Sequence, residues 1–144
     1  MLLPDPQLLP EFYAWVPLKR LLAWAVDTLL ILMLTLVVLL ATALLTVFIL
    51  PLLYTALNIA YRWVTLARWS ATPGMALMAV ELRDAAGRRL DPTTALLHTL
   101  GYTVSVLVTP LQIASVALML ITARRQGATD LLLGTAMINR PVAG

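Results

Sequence analysis

The chain has 144 residues, 61% of them apolar and 12% charged, with a mean hydropathy of +0.91. That is about half the charge fraction usual for a soluble domain. Without cysteine it has neither a disulfide framework nor a thiolate site, and one histidine with seven acids leaves little for a protein-built metal site. The net charge of +3 lies in basic residues that flank apolar runs, so it reads as membrane orientation and not as affinity for nucleic acid.

Residues 1–18 contain Pro4, Pro6, Pro10 and Pro17 among Phe12, Tyr13 and Trp15. Proline at this density blocks a long helix, and the aromatics favour the headgroup region, which predicts an interfacial lead-in. Asp5 and Glu11 precede the first basic residue, unlike the basic start of a signal peptide. From Thr28 to Tyr61 there is no Asp, Glu, Lys or Arg. A span needs about 20 apolar residues, so the stretch from Leu21 to Leu66 is long enough for two. The pattern predicts a first helix over 21–43 and a turn near Leu44–Thr46, with Thr46 a candidate N-cap. A second helix follows over 46–68, with Pro51 early in it, where its missing N–H is tolerated. Lys19 and Arg20 open this hairpin, Arg62 and Arg68 close it, and its outer turn is uncharged. The charged end and the N-terminus are therefore expected in the cytoplasm.

Asp27 stands inside the first apolar run, where a carboxylate costs roughly 2.5–3.5 kcal/mol at the helix centre and less near the interface. Arg20 lies two helical turns earlier on the same face, about 10 Å away. A hairpin with its apex at Leu44 or Leu45 sets Asp27 level with roughly Asn58–Arg62. Thr55, Asn58, Arg62 and Thr65 there form a polar stripe at spacings of three and four. The candidate partners of Asp27 are thus Arg20, Asn58 and Arg62. Two roles stay open for it: a neutralised pair that pins two helices, or a titratable cation or proton site.

Residues 69–92 are hydrophilic and are expected as a cytoplasmic loop. Thr72-Pro73-Gly74 is a turn signal, and Val80-Glu81-Leu82-Arg83 alternates as a short strand does. Asp91-Pro92 is a helix start, with Asp91 as cap. Residues 94–123 are uncharged, with His98, Tyr102, Ser105, Thr109 and Gln112 along one face. Such a stripe belongs against protein or a wet cavity, and a lone histidine in it is more often a hydrogen-bonded packing residue than a ligand. Pro110 interrupts the segment. One crossing would bring Arg124 and Arg125 out on the far side, whereas a fold at Thr109-Pro110 keeps both ends cytoplasmic. Two half-helices reach only about 22 Å each, short of a core of about 30 Å, which favours a re-entrant hairpin over a third span. In the tail, residues 124–144, Gly127 is a candidate left-handed helix end. The run Leu133–Asn139 could pair as a strand with Ala79–Arg83.

The punctuation resembles that of the RDD family of small bacterial membrane proteins, named for one arginine and two aspartates. The likeness covers nearly everything from about residue 17. Arg20-Leu-Leu-Ala23-Trp-Ala-Val-Asp27 resembles the first signature, Thr72-Pro73-Gly74 the second, and Asp130-Leu-Leu-Leu-Gly134-Thr135 the third. The resemblance implies a polar cluster of Arg20, Asp27 and Asp130 in a helical inner-membrane protein. It implies no enzymatic activity, and sodium–proton exchange has been proposed for some members. Many relatives have lysine where this chain has Met75 and histidine where it has Thr129, so a titratable step resting on those groups is open to question here.

The expected fold class is an all-α membrane protein. It comprises an N-terminal transmembrane helical hairpin, a third apolar segment (re-entrant at Pro110 or spanning) and a small cytoplasmic β-like element, all within a single domain, 1–144. No catalytic constellation, phosphate loop, metal site or cofactor is expected. The expected partners are the lipid bilayer and either further copies of the chain or other membrane subunits, without nucleic acid. Two roles remain: a structural or accessory subunit of a membrane assembly, or a transport-related protein working as an oligomer through the Arg/Asp cluster.

Overall fold

The computed structural model describes residues 3–141. Four longer helices and several short elements order these residues. Helix α1 spans Val16–Ala41 and α2 spans Leu50–Trp69, about 39 and 30 Å long. Both are long and apolar enough to cross a membrane. Helix α1 begins five residues before the expected boundary of 21. Pro17 falls within its first turn, where a missing N–H costs no helical bond. Ala43 and Leu44 turn the chain in the left-handed region, φ 53° and 65°, and a 3-10 turn over Leu45–Ile49 leads into α2. The start of α2 therefore falls four residues later than 46. Its cap position is Ile49, with Pro51 in the first turn. The side chain of Thr46, the candidate cap, lies outside the described residues, as do 142–144 of the tail.

The hydrophilic loop holds one element that its turn signal does not announce. Thr72 caps a five-residue helix, α3 (Pro73–Leu77), accepting from Met75 N at 3.3 Å. Strand β1 (Val80–Arg83) follows and pairs antiparallel with β2 (Ala136–Asn139), from Val80 opposite Asn139 to Arg83 opposite Ala136. This is the pairing expected between the run Leu133–Asn139 and Ala79–Arg83. Ser70 ends α2 at φ 55° and binds the sheet to it. Its hydroxyl donates to Leu82 O at 2.5 Å and accepts from Leu90 N at 2.9 Å.

Asp91 caps α4 (Pro92–Leu107) through Thr94 N at 2.6 Å, as its position before Pro92 predicts. The apolar segment is not one helix. It breaks at Val108, φ −112° and ψ 97°, and continues as α5 (Thr109–Ile121) with its axis turned by 116°. The two halves are about 24 and 20 Å long. Helix α6 (Ala128–Leu133) then lies between them. A Cβ on Gly101 of α4 would meet Thr129 at 2.6 Å, and one on Gly127 would meet Ser115 of α5 at 2.6 Å. Gly127 is extended, φ −80°, and so does not close the preceding helix in the left-handed region. Helix α5 ends at Ile121 with Thr122 extended, the left-handed residue of the following turn is Arg125, φ 52°, and Gly127 is small because α5 lies against it.

The core sits at the basic end. Val16, Leu66, Val80, Leu82, Ala95 and Met137 are fully buried there, drawn from both spanning helices, both strands and α4. Beyond Val16 at its start, α1 buries only the stripe Ala23, Asp27, Ile31 and Thr35, while Leu29, Val37 and Leu40 stay exposed. Lipid is as apolar as leucine, so such exposure costs nothing there, and small or polar residues make the contacts between helices. The C-terminal strand also reaches the lead-in. Lys19 donates to Asn139 at 2.6 Å, and the Asn139 amide donates to Glu11 O and Ala14 O.

Candidate functional site

Two carboxylates organise the basic end, and the fold treats them differently. Asp27, 3% exposed, sits about three turns inside α1. Its Oδ1 accepts from the Tyr61 hydroxyl of α2 and from Gly74 N, each at 2.8 Å, and its Oδ2 accepts from Thr72 Oγ1 at 2.5 Å. The loop signature Thr72-Pro73-Gly74 is therefore a socket for the aspartate of the first signature. Pro73 occupies the first turn of α3, leaving the Gly74 amide free to point at the carboxylate. A Cβ on Gly74 would lie 2.3 Å from Ala23 O and 2.8 Å from Asp27 Oδ1, so only glycine lets α3 approach α1 this closely.

None of the three partners expected for Asp27 binds it. Arg20 turns away to Asp130. Asn58 makes no bond to it, and its Oδ1 is buried without a partner. Arg62 carries its guanidinium over the ring of Tyr102 on α4, with its carbon 3.9 Å from the ring centroid. The expected level on α2 is right, because Tyr61 lies within 58–62. The expected side of the helix is not, since neighbouring residues point about 100° apart.

Asp130, 1% exposed, is held at both oxygens. Arg20 Nη1 donates to Oδ2 at 2.7 Å, and Gly127 N, at the start of α6, to the same oxygen at 3.1 Å. Thr135 Oγ1 donates to Oδ1 at 2.9 Å, and His98 Nε2 lies 2.8 Å from that oxygen. Burial pushes this carboxyl up, but the Arg20 charge and the His98 hydrogen bond outweigh it and hold Asp130 well below the usual carboxylate range. At the preceding position Thr129 carries no imidazole, and the one beside Asp130 comes from α4. His98 was readable as a member of a polar stripe, but a single sequence gives no sign that it meets Asp130.

Arg20, Asp27 and Asp130 thus line one cavity of about 510 Å³ between α1, α4, α5 and α6, although Asp27 bonds to neither of the others. The cavity also exposes Arg62, His98 and Tyr102, and Met75 forms part of its wall. Outside it, Glu81 on β1 is buried against Arg83, with Arg140 Nε at 3.7 Å.

In comparison with known protein families, the model of the RDD family matches residues 16–134, from the first residue of α1 to Gly134 in the third signature. No curated protein and no solved structure matches the chain.

Proposed function

The chain belongs to the RDD family, and from that premise we propose that it is a structural or accessory subunit of a membrane assembly in the bacterial inner membrane. The observation that carries this reading is the state of the two signature aspartates. A carboxylate offers about four acceptor sites. Asp130 has donors at all of them, and Asp27 has donors at three. Groups bound in this way act as staples between distant segments and leave little room for a travelling cation. A second support is surface. On α2, Leu52, Trp63, Val64 and Trp69 are exposed, leaving one side of that helix for lipid or another protein. The proposed role contains no catalytic step.

The proposed topology is multi-pass with a cytoplasmic N-terminus, supported by Lys19, Arg20, Arg62 and Arg68 at one end of the hairpin. We infer a re-entrant α4–α5 pair. Strand β1 precedes the pair, β2 follows it, and the two are hydrogen-bonded, which requires both ends on one side.

One observation favours the transport reading, cation or proton exchange by an oligomer: Arg20, Asp27 and Asp130 share a cavity. The two readings diverge in Asp27→Asn. As a staple, the variant lowers protein level and recovery of the assembly extracted in mild detergent, while proteoliposomes of either protein carry no sodium or proton flux above empty vesicles. Flux in the wild type that vanishes in a variant still assembling at normal level would overturn the accessory role.

A further inference from the structure

Arg62 is 5% exposed and lines the cavity, yet among the described residues no carboxylate and no hydrogen-bond acceptor reaches its guanidinium. Its Nε is buried without a partner. Its one close neighbour is the face of the Tyr102 ring, which attracts the charge but fills none of its five N–H donors. His98 Nδ1, on the same cavity, is also buried and unpartnered. The acids that could neutralise Arg62 are occupied elsewhere: Asp27 by Tyr61, Thr72 and Gly74, and Asp130 by Arg20, His98, Thr135 and Gly127. A buried cation left this way is costly, whereas its planar fork matches a phosphate or carboxylate.

We propose that this cavity binds the anionic head of an amphiphile, with Arg62 holding a phosphate-type oxyanion and the apolar tail lying along α1 and α5. Size fits: 510 Å³ is within the range of about 300–1,000 Å³ typical of small-molecule sites. Polarity fits as well. Leu21, Trp24, Val116 and Leu120 line the cavity and are 59%, 47%, 43% and 57% exposed, so its rim continues into the apolar surface of the bundle. A free inorganic anion would leave those walls bare, and a neutral chain would leave Arg62 without an acceptor. The site goes beyond the accessory role and stands or falls separately from it.

The test uses the full chain in a neutral maltoside detergent, with native mass spectrometry counting retained dodecyl phosphate, dodecanol or inorganic phosphate. One dodecyl phosphate per chain is expected, with neither dodecanol nor inorganic phosphate retained. Arg62→Gln should weaken dodecyl phosphate binding tenfold or more. Val116→Trp should do the same by filling the cavity from its rim while Arg62 remains. Val116 is exposed, so this variant keeps the fold and decides the matter if Arg62→Gln yields no folded protein. Unchanged binding in Val116→Trp, or in a folded Arg62→Gln, overturns the proposal. Inorganic phosphate retained as well as dodecyl phosphate reduces the site to a free-anion pocket, and equal retention of dodecanol reduces it to an apolar one. Either result overturns it.

Discussion

At the scale of residues, the bundle is held by a few buried polar atoms whose partners come from far along the chain. Asp130 receives Arg20 from the first helix, His98 from the fourth and Thr135 from the turn before the last strand. Its folded carboxyl releases a proton more readily than the unfolded one, whose pKa is about 3.9. The unfolded chain therefore binds more protons on acidification. Stability from this group is complete above about pH 5 and is lost as pH falls toward the folded value. The unfolding midpoint in detergent is expected to drop between pH 5 and pH 3. Asp130→Asn should flatten that drop, and at neutral pH should cost up to roughly 3 kcal/mol by leaving the half-buried Arg20 without its charged partner. A variant with the wild-type acid profile would show that other carboxylates set it. The grouping of Arg20, Asp27 and Asp130 came from the resemblance to the family signatures, since the apolar pattern alone asks only that each charge find a partner. The pairing was not legible in the sequence. Counting residues from a hairpin apex gives depth but not rotation, so Tyr61 was hidden behind its neighbour Arg62. That Thr72 and Gly74 serve Asp27 depends on α3 folding back against α1, which no local pattern records.

At the scale of elements, the strongest local signals became structure where expected. The apolar stretch around the charge-free run Thr28–Tyr61 became α1 and α2, Asp91-Pro92 started α4, and alternation in Val80–Arg83 became β1. Boundaries shifted where prolines admit more than one reading. Pro17 looks like part of a helix-blocking cluster, yet it sits in the first turn of α1, and Pro51 sits in the first turn of α2 after a 3-10 approach. Helix α3 was hidden for a different reason: five residues make barely more than one turn, too short to show a period. The bend between α4 and α5 has an identifiable cause. Val108 is extended, and Pro110, in the first turn of α5, has no N–H to bond back into α4. If the pair is re-entrant, cysteines at Arg88, before α4, and Ala123, after α5, face the same side. Arg88→Cys and Ala123→Cys should then both react with a membrane-impermeant maleimide in inside-out vesicles and neither in intact spheroplasts. Labelling of Ala123→Cys from the outer face would make the segment a third, kinked span.

At the scale of the whole molecule, the chain divides into two sequence halves that are completed by each other. The first carries α1, α2, α3 and β1, and the second carries α4, α5, α6 and β2. Three kinds of bond join them at the basic end: the β1–β2 ladder, the Arg20–Asp130 ion pair and the Lys19–Asn139 hydrogen bond. Away from that end the outer faces of the helices stay exposed. Association within the membrane gains nothing from apolar burial, so these polar joints should decide whether the halves stay together. The turn after β1 offers a place to cut, since Ala85 is exposed and the bonds around Asp84 are local. Fragments 1–85 and 86–144, coexpressed with a tag on the first, should copurify in mild detergent. Ile138→Pro removes a ladder donor from the middle of β2, since the pairs that exchange bonds alternate from Ala79–Arg140, and Asp130→Ala removes the ion pair and the His98 contact. Each should cut recovery of the second fragment severalfold, and the double variant should abolish it. Recovery that ignores both changes would mean that the helix faces carry the association, and the basic end would then be a consequence of the fold and not its lock.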